Sequence, residues 1–368
     1  MFTQADHEYM SLALRFAEHG LYTTTPNPRV GCVLVNNGQI IGQGAHLKAG
    51  EAHAEIIALR DAEAKFPKLI RGADAYVTLE PCSHFGRTPP CAEALISAGI
   101  KRVIAAMQDP NPLVAGNGLA KLAAAGISTA HGLMETQAQE LNAGFILRMT
   151  KNRPFVRIKI AASLDGRTAL ANGESKWITS EAARQDVQHW RSRSCAILTG
   201  IGTVLADDPQ MNVRNIPDAR QPLRVLVDSH LQISPKANIL KGGNTLIAYV
   251  SGCENKVETL NQAGAALIKL EASDGKVCLK KLLSHLAERG INEVMVEAGQ
   301  TLNGALLALN LVDEFVFYYA PCLLGSDACG MLAIPSLQSM QERMQLSIID
   351  LRQFGQDIRL RAKPIGKS

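Results

Sequence analysis

No stretch of this 368-residue chain approaches the run of about 20 apolar residues that a membrane-crossing helix needs. The opening MFTQADHEYM carries acids and no apolar core segment, which argues against a secretory signal and makes a cytoplasmic protein the expectation. A disulfide framework is missing too. The eight cysteines stand at irregular spacing in a chain far longer than small stapled domains. Low-complexity segments and repeats between the halves are absent. So is any cluster of basic charge. Residues 1–150 hold 12 Lys and Arg against 13 Asp and Glu, a balance of −1, and residues 151–368 hold 26 against 21, a balance of +5. Neither half has the concentrated positive surface that tracks a nucleic-acid backbone, so neither nucleic acid nor a membrane is an expected partner. A small anionic ligand held by a few placed arginines fits this balance.

What is present is ordinary globular composition, 46% hydrophobic and 20% charged, in a length that suggests two domains. Tyr9, Leu12, Ala13, Phe16 and Ala17 share one face of a helix from Asp6 to His19. Asn36-Asn37-Gly38 between two β-rich runs signals a hairpin. Helices from His53 to Lys65, from Cys91 to Ala98 and from Met134 to about Met149 alternate with strands at Ala73–Leu79, Arg102–Met107 and Ile127–Ala130. This order predicts a central sheet covered on both faces. Thr150-Lys151-Asn152-Arg153-Pro154 breaks the pattern with charge and proline, giving expected domains of residues 1–148 and 149–368. The second half is α/β again. It has helices near Ser180–Arg193, Leu279–Arg289 and Thr301–Leu309, and ends in an expected antiparallel pair, Leu346–Leu351 with Asp357–Ala362.

The chemistry of the first half gathers around His53-Ala54-Glu55, Pro81-Cys82 and Cys91. One imidazole and two thiolates make a three-ligand zinc site with the fourth tetrahedral position left open, the mark of catalytic rather than structural zinc. A helix N-terminus lowers a cysteine's pKa and favours the thiolate. Glu55 need not be a ligand and is placed to move protons beside the open position. Zinc deaminases share this arrangement of His-x-Glu and a later Pro-Cys pair. Their second cysteine usually follows two residues after the first, whereas here SHFGRTPP intervenes. His84 as a fourth ligand would instead close the site and make it structural.

Four segments, TPNPRVGCVLV, GEAHAEIIAL, VTLEPCSHFGRTPPC and QDPNPLVAGNG, occur in this order in the bifunctional deaminase–reductases of riboflavin biosynthesis. The chain resembles that family, and the widened cysteine spacing is the family's own variant. KIAASLDGRTA, ESKWITS, GIGTVLADDP and VEAG carry the resemblance through the second half. It implies an N-terminal cytidine-deaminase-like three-layer α/β/α domain. This domain would hydrolyse the exocyclic amine of a diaminohydroxypyrimidine bearing a phosphoribosylamino group, with Glu55 protonating the ring nitrogen and then the leaving group. Asn27, His84 and Arg87 match substrate positions. The C-terminal domain resembles dihydrofolate reductase, and NADPH would reduce the ribosyl group to ribityl phosphate. The family assembles as homo-oligomers, dimers or larger.

Read by residues alone, the second half says less. Gly200-Ile201-Gly202-Thr203 follows a strand but lacks a dinucleotide fingerprint's third glycine, since Leu205 stands there. Gly299-Gln300-Thr301-Leu302-Asn303-Gly304 is the better phosphate site, because a helix opening at Thr301 offers free N–H groups. The resemblance implies cofactor positions at Ala161, Trp177, Thr203, Asp207, Ser229 and the turn Gly299–Ala305. Substrate positions are Ser175, Arg191, Met211, Arg214 and Glu297, the two arginines suiting a sugar phosphate. Lys159 and Asp165 are further candidates, and Leu-Asp-Gly-Arg also reads as a turn. Two other readings stand beside the enzyme of small molecules: a nucleic-acid base-editing deaminase, which the charge disfavours, and a non-catalytic zinc-stabilised module.

Overall fold

The computed structural model describes residues 1–83, 90–111, 115–217, 219–270 and 274–365. Two compact units divide the chain, Met1–Arg153 and Pro154–Ser368. Among the described residues, no helix is long and apolar enough to cross a membrane.

The first unit runs α1 (Gln4–Glu18), β1 (Gly31–Asn36), β2 (Gln39–Ala45), α2 (Ala54–Lys65), β3 (Asp74–Val77), α3 (Cys91–Ser97), β4 (Arg102–Ala105), α4 (Asn117–Ala124), β5 (Ser128–His131), α5 (Glu135–Leu141) and α6 (Ala143–Lys151). Its sheet has the order β2-β1-β3-β4-β5, antiparallel across β2-β1-β3 and parallel from β3 to β5. Glycines show how the layers stack. A Cβ on Gly31 would lie 1.9 Å from the Ala13 carbonyl oxygen of α1. Cβ atoms on Gly42 and Gly44 would lie 2.3 and 2.2 Å from the carbonyl oxygens of Ala58 and Ala54 in α2. Gly44 pairs with Cys32 and Gly42 with Leu34, so both point to the face opposite Gly31. The two helices therefore cover opposite faces, and only glycine admits backbones this close.

The helix expected from Met134 to about Met149 is two helices. Asn142 leaves helical geometry at φ −110° and spends its amide on Arg29, accepting from its N–H at 2.8 Å and donating to its carbonyl at 2.9 Å. Helix periodicity runs through such a residue unbroken, so sequence reading does not see the break.

The second unit runs β6 (Phe155–Ser163), β7 (Arg167–Ala169), α7 (Glu181–Arg193), β8 (Ala196–Gly200), α8 (Ile201–Asp207), β9 (Leu223–Val227), β10 (Thr245–Tyr249), α9 (Glu254–Gln262), β11 (Ala265–Lys269), α10 (Leu279–Glu288), β12 (Glu293–Val296), α11 (Gln300–Ala308), β13 (Glu314–Ala320), β14 (Cys329–Gly330), β15 (Leu346–Phe354) and β16 (Asp357–Pro364). Among the described residues, nine strands form one sheet, β11-β10-β9-β8-β12-β6-β13-β16-β15. It is parallel from β11 to β13 and antiparallel across β13-β16-β15. The helices α8 and α9 and the small β7–β14 ribbon did not register in the sequence pattern. Glu254–Gln262 has just one fully buried residue, Leu260, so its apolar face is too narrow to read as a helix.

Part of one sheet face is polar where a core is expected, beside the buried Met295, Val316 and Tyr318. Arg157, 2% exposed, donates to Glu314 at 3.0 and 3.1 Å and to Glu293 at 3.1 Å. Trp190 of α7 lies against the guanidinium groups of Arg157, Arg193, Arg359 and Arg361. These interlocked pairs seat α7 on the sheet, and α7 carries part of the functional site.

Candidate functional sites

In the first unit, His53 is the N-cap of α2 and Cys91 the first residue of α3, while Cys82 lies in the chain after β3. Three elements thus bring one side chain each to a single point. His53 Nδ1 stands 3.2 Å from Cys91 Sγ and 3.6 Å from Cys82 Sγ, and the three ligand atoms lie within 4.8 Å of one another. Tetrahedral zinc with bonds of ordinary length spaces N and S ligands by about 3.5 Å and two S ligands by about 3.8 Å. The set fits that ion. Donation from the Cys91 thiol and the backbone N–H of Cys91 holds Cys82 down to about 4, and Cys91 is pushed up in turn. One sulfur is thereby a ready thiolate.

Glu55 sits in the first turn of α2, buried at 3% exposure. Burial, reinforced by the neighbouring Cys82 thiolate, pushes its carboxyl up to about 7. A carboxyl tuned near neutrality can both take and return a proton. His53 is raised, chiefly by its hydrogen bond to Cys82.

Sequence reading missed two groups that support this point. His46, 2% exposed, must donate from Nδ1 to the Ala52 carbonyl at 3.0 Å, so its Nε2 accepts from the Asn27 amide at 3.0 Å. Its ring meets His53 edge to face at 5.3 Å. Asn27 is therefore oriented beside the centre rather than free in a turn. Among the described residues, Glu80 has no cation partner. Its carboxylate accepts backbone N–H groups from Asp109, Gly116, Gly118 and Leu119 at 2.8–3.2 Å, tying the loop before α4 to the strand end that leads to Cys82. Only the Pro-Cys following it pointed to this stretch of sequence. His84 and Arg87 lie outside the described residues.

The second unit holds a cleft of about 1790 Å³ along the carboxyl ends of its parallel strands, where α/β sheets place ligands. All the expected substrate positions, Ser175, Arg191, Met211, Arg214 and Glu297, line it. So do Ala161, Trp177, Thr203, Asp207 and Ser229. The turn at α11 divides. Gly299, Gln300, Thr301, Leu302 and Ala305 face the cleft. Asn303 instead donates to the carbonyls of Ala298 and Met331, and a Cβ on Gly304 would sit 2.1 Å from the Ala333 carbonyl oxygen. These two pack the helix down instead of facing the space. Gly299 is the N-cap, so the helix opens one residue earlier than expected.

Arg191 is the pivot of the cleft. It grips Glu297 through Nε at 2.6 Å and Nη2 at 3.0 Å, and donates from Nη1 to the Asn212 carbonyl at 2.9 Å. Burial alone would raise the Glu297 carboxyl, but Arg191, Lys159 and Arg214 bring it below its ordinary range. Lys159 lines the same space, its ammonium lowered by burial. Asp165 does not line the cleft. It accepts from Ser163 and from the N–H groups of Leu324 and Gly325, which is the turn its neighbours suggested.

Residues 3–107 match the family model described as the cytidine and deoxycytidylate deaminase zinc-binding region, and residues 154–360 match the RibD C-terminal domain. The chain is 48% identical over 366 residues to the riboflavin biosynthesis protein RibD of Escherichia coli (strain K12), covering 96% of this chain and 98% of that protein. Acinetobacter baumannii RibD superposes with a TM-score of 0.90 at 45% identity, over 99% of both chains. A Thermotoga maritima diaminohydroxyphosphoribosylaminopyrimidine deaminase/5-amino-6-(5-phosphoribosylamino)uracil reductase superposes with a TM-score of 0.87 at 32% identity, over 98% of this chain and 99% of that one. A deaminase zinc-binding region followed by a reductase domain defines a bifunctional enzyme, hydrolase and oxidoreductase in one chain. The chain belongs to the RibD family of riboflavin biosynthesis.

Proposed function

We propose that Met1–Arg153 deaminates 2,5-diamino-6-(5-phosphoribosylamino)pyrimidin-4-one to the aminouracil, and that Pro154–Ser368 then reduces its ribosyl group to ribityl phosphate with NADPH. The observation that carries the first step is the buried Glu55 carboxyl hydrogen-bonded beside the His53–Cys82–Cys91 cluster. Zinc, held by those three, supplies a Lewis acid that lowers the pKa of water in its open position. Glu55 would carry two protons in turn, one from the attacking water to the ring nitrogen and one from the hydroxyl so formed on the ring carbon to the departing amine. Asn27, held by His46, contacts the pyrimidine, together with His84 and Arg87.

NADPH, when bound, supplies the hydride. The α11 N-terminus presents N–H groups of Gln300 and Thr301 toward an anion, with Gly299, Leu302 and Ala305 beside them. Ala161, Trp177, Thr203, Asp207 and Ser229 complete the cofactor contacts. Arg191 and Arg214 hold the substrate phosphate end, Ser175 and Met211 flank it, and Glu297 with Lys159 orients the sugar. Supplying the diaminopyrimidine phosphoriboside to the zinc-loaded protein tests the order of events. Ammonia is expected without NADPH, and NADPH oxidation only after deamination. Oxidation of NADPH by the undeaminated compound would overturn the order, and tight, salt-sensitive RNA binding would favour the editing reading.

We propose further that the enzyme is a homodimer built on the β15–β16 arm. Ile348 and Leu351 pair with Ala362 and Leu360, which continue the row of Phe315 and Phe317 out of the core, yet they are 61% and 62% exposed. Residues 333–349 form an unbroken exposed run that includes Ile334, Leu337, Met340 and Met344. With the strand itself, this is close to the 20 or so residues that each side of a stable interface uses. An edge strand is self-complementary about a twofold axis, which favours a second copy over another protein. Light scattering is expected to give twice the 39.6 kDa chain mass. The double variant Ile348→Glu, Leu351→Glu should give the single mass with an unchanged circular-dichroism spectrum. A monomeric wild type at micromolar concentration would sink the proposal.

A further inference from the structure

The loop between α8 and β9 carries two of the proposed substrate contacts in an unusual backbone. Asp208, Met211 and Asn215 all lie in the left-handed region, at φ 41°, 52° and 60°, and none is glycine. Asp and Asn tolerate such angles, but Met211 holds its own at a cost, so the surroundings must impose it. Side chains from outside the loop's tip do so here. Asn238 donates to the Asp208 carboxylate from both its backbone N–H and its amide, each at 2.7 Å. Gln221, just before β9, accepts the Val213 N–H at 2.9 Å and donates to the Val213 carbonyl at 3.0 Å. Gln188 of α7, one helical turn before Arg191, accepts the Arg214 N–H at 2.9 Å. Arg191 takes the Asn212 carbonyl.

We infer that Gln188 and Gln221 are positioning residues of the reductase: between them they fix the Met211–Arg214 segment so that the Arg214 guanidinium meets the substrate phosphate. This rests on the proposed role of Arg214. Gln188 is 9% exposed and sits on a helix seated by the Trp190 and arginine stack, so it is the rigid side of the bracket. Gln221 grips the same segment from the β9 side. Neither glutamine needs to touch the reacting carbon, and neither belongs to the first unit, so the deaminase should not sense their loss.

The experiment compares Gln188→Leu, Gln221→Leu and Arg214→Ala in the full chain, with the phosphorylated aminouracil riboside and its dephosphorylated counterpart. Each Leu variant is expected to raise KM for the phosphorylated compound about tenfold, as one or two lost hydrogen bonds to the backbone would. Reductase kcat should stay within twofold. Preference for the phosphorylated over the dephosphorylated compound should fall by a similar factor, which a general loss of folding would not produce. NADPH affinity and ammonia release should hold. If Arg214→Ala raises KM while both Leu variants leave the preference intact, the positioning role is wrong and the subsite stands. If Arg214→Ala itself leaves KM unchanged, the subsite reading fails and takes the positioning role with it. A parallel fall in kcat, NADPH affinity and melting temperature would show a structural role instead.

Discussion

Glu55→Gln is expected to cut ammonia release by about 10²–10⁴-fold, the usual contribution of a positioned acid–base group, while zinc content and NADPH-dependent reduction stay at wild-type levels. The substitution keeps the shape of a side chain that is 3% exposed, so it tests the proton and not the packing. Glu55 lies one residue inside a helix whose N-cap is a proposed ligand, and it hydrogen-bonds the Cys91 thiol. Replacing the carboxyl by an amide retains a hydrogen-bonding end there but removes the site that can bind and release a proton. Burial has raised that carboxyl to about 7. Its folded pKa therefore exceeds its unfolded one, so its contribution to stability is greatest in acid and lost as pH rises through 7. In the zinc-free protein Glu55→Gln removes that dependence, and there the variant should be slightly more stable than wild type above neutrality. Zinc measured by atomic emission and ammonia measured after mixing decide the matter. Ammonia release at the wild-type rate would restore the reading of the cluster as a structural module.

Much of this was legible in the residues. Hydrophobic periodicity marks α1, and the alternation of helix and strand marks the central sheets, because those signals are local. The metal-ligand set was legible because coordination chemistry restricts which side chains can meet. What escaped depends on partners distant in sequence. His46 is a lone histidine until Asn27 and His53 are seen around it. Glu80 looks like one more acid until four backbone N–H groups from residues 109–119 converge on it. Asn142 breaks a helix to satisfy Arg29, more than a hundred residues away. Arg157 reads as strand polarity, and only the register of β6 between β12 and β13 puts Glu293 and Glu314 on either side of it. In the cleft the family motif Gly299–Ala305 reads as one unit in sequence, yet a helix presents its successive residues to different sides, so Asn303 and Gly304 turn away.

Arg191→Ala is expected to raise KM for the phosphorylated reductase substrate by at least about 10²-fold, with NADPH affinity changed far less. Three connections end at that guanidinium: the bidentate grip on Glu297, the Asn212 carbonyl, and the space where the proposed phosphate lies. Removing it leaves Glu297 buried with Lys159 as the nearer countercharge, and truncating one partner of such a pair costs roughly 2–5 kcal/mol. The pH dependence supplies a second reading. With Arg191 present the Glu297 carboxyl is held below its ordinary range against the pull of burial. Its stabilising effect is complete above the unfolded glutamate pKa and fades as pH falls through the lower folded value. Without Arg191 burial gains the upper hand and the sign reverses, so the variant should lose stability as pH rises from acid to neutral. Melting temperature followed from pH 5 to 8 therefore separates the two proteins: it falls more steeply for Arg191→Ala than for wild type. Equal losses of substrate and NADPH affinity, or parallel melting curves, would move Arg191 from the substrate end of the cleft to its scaffold.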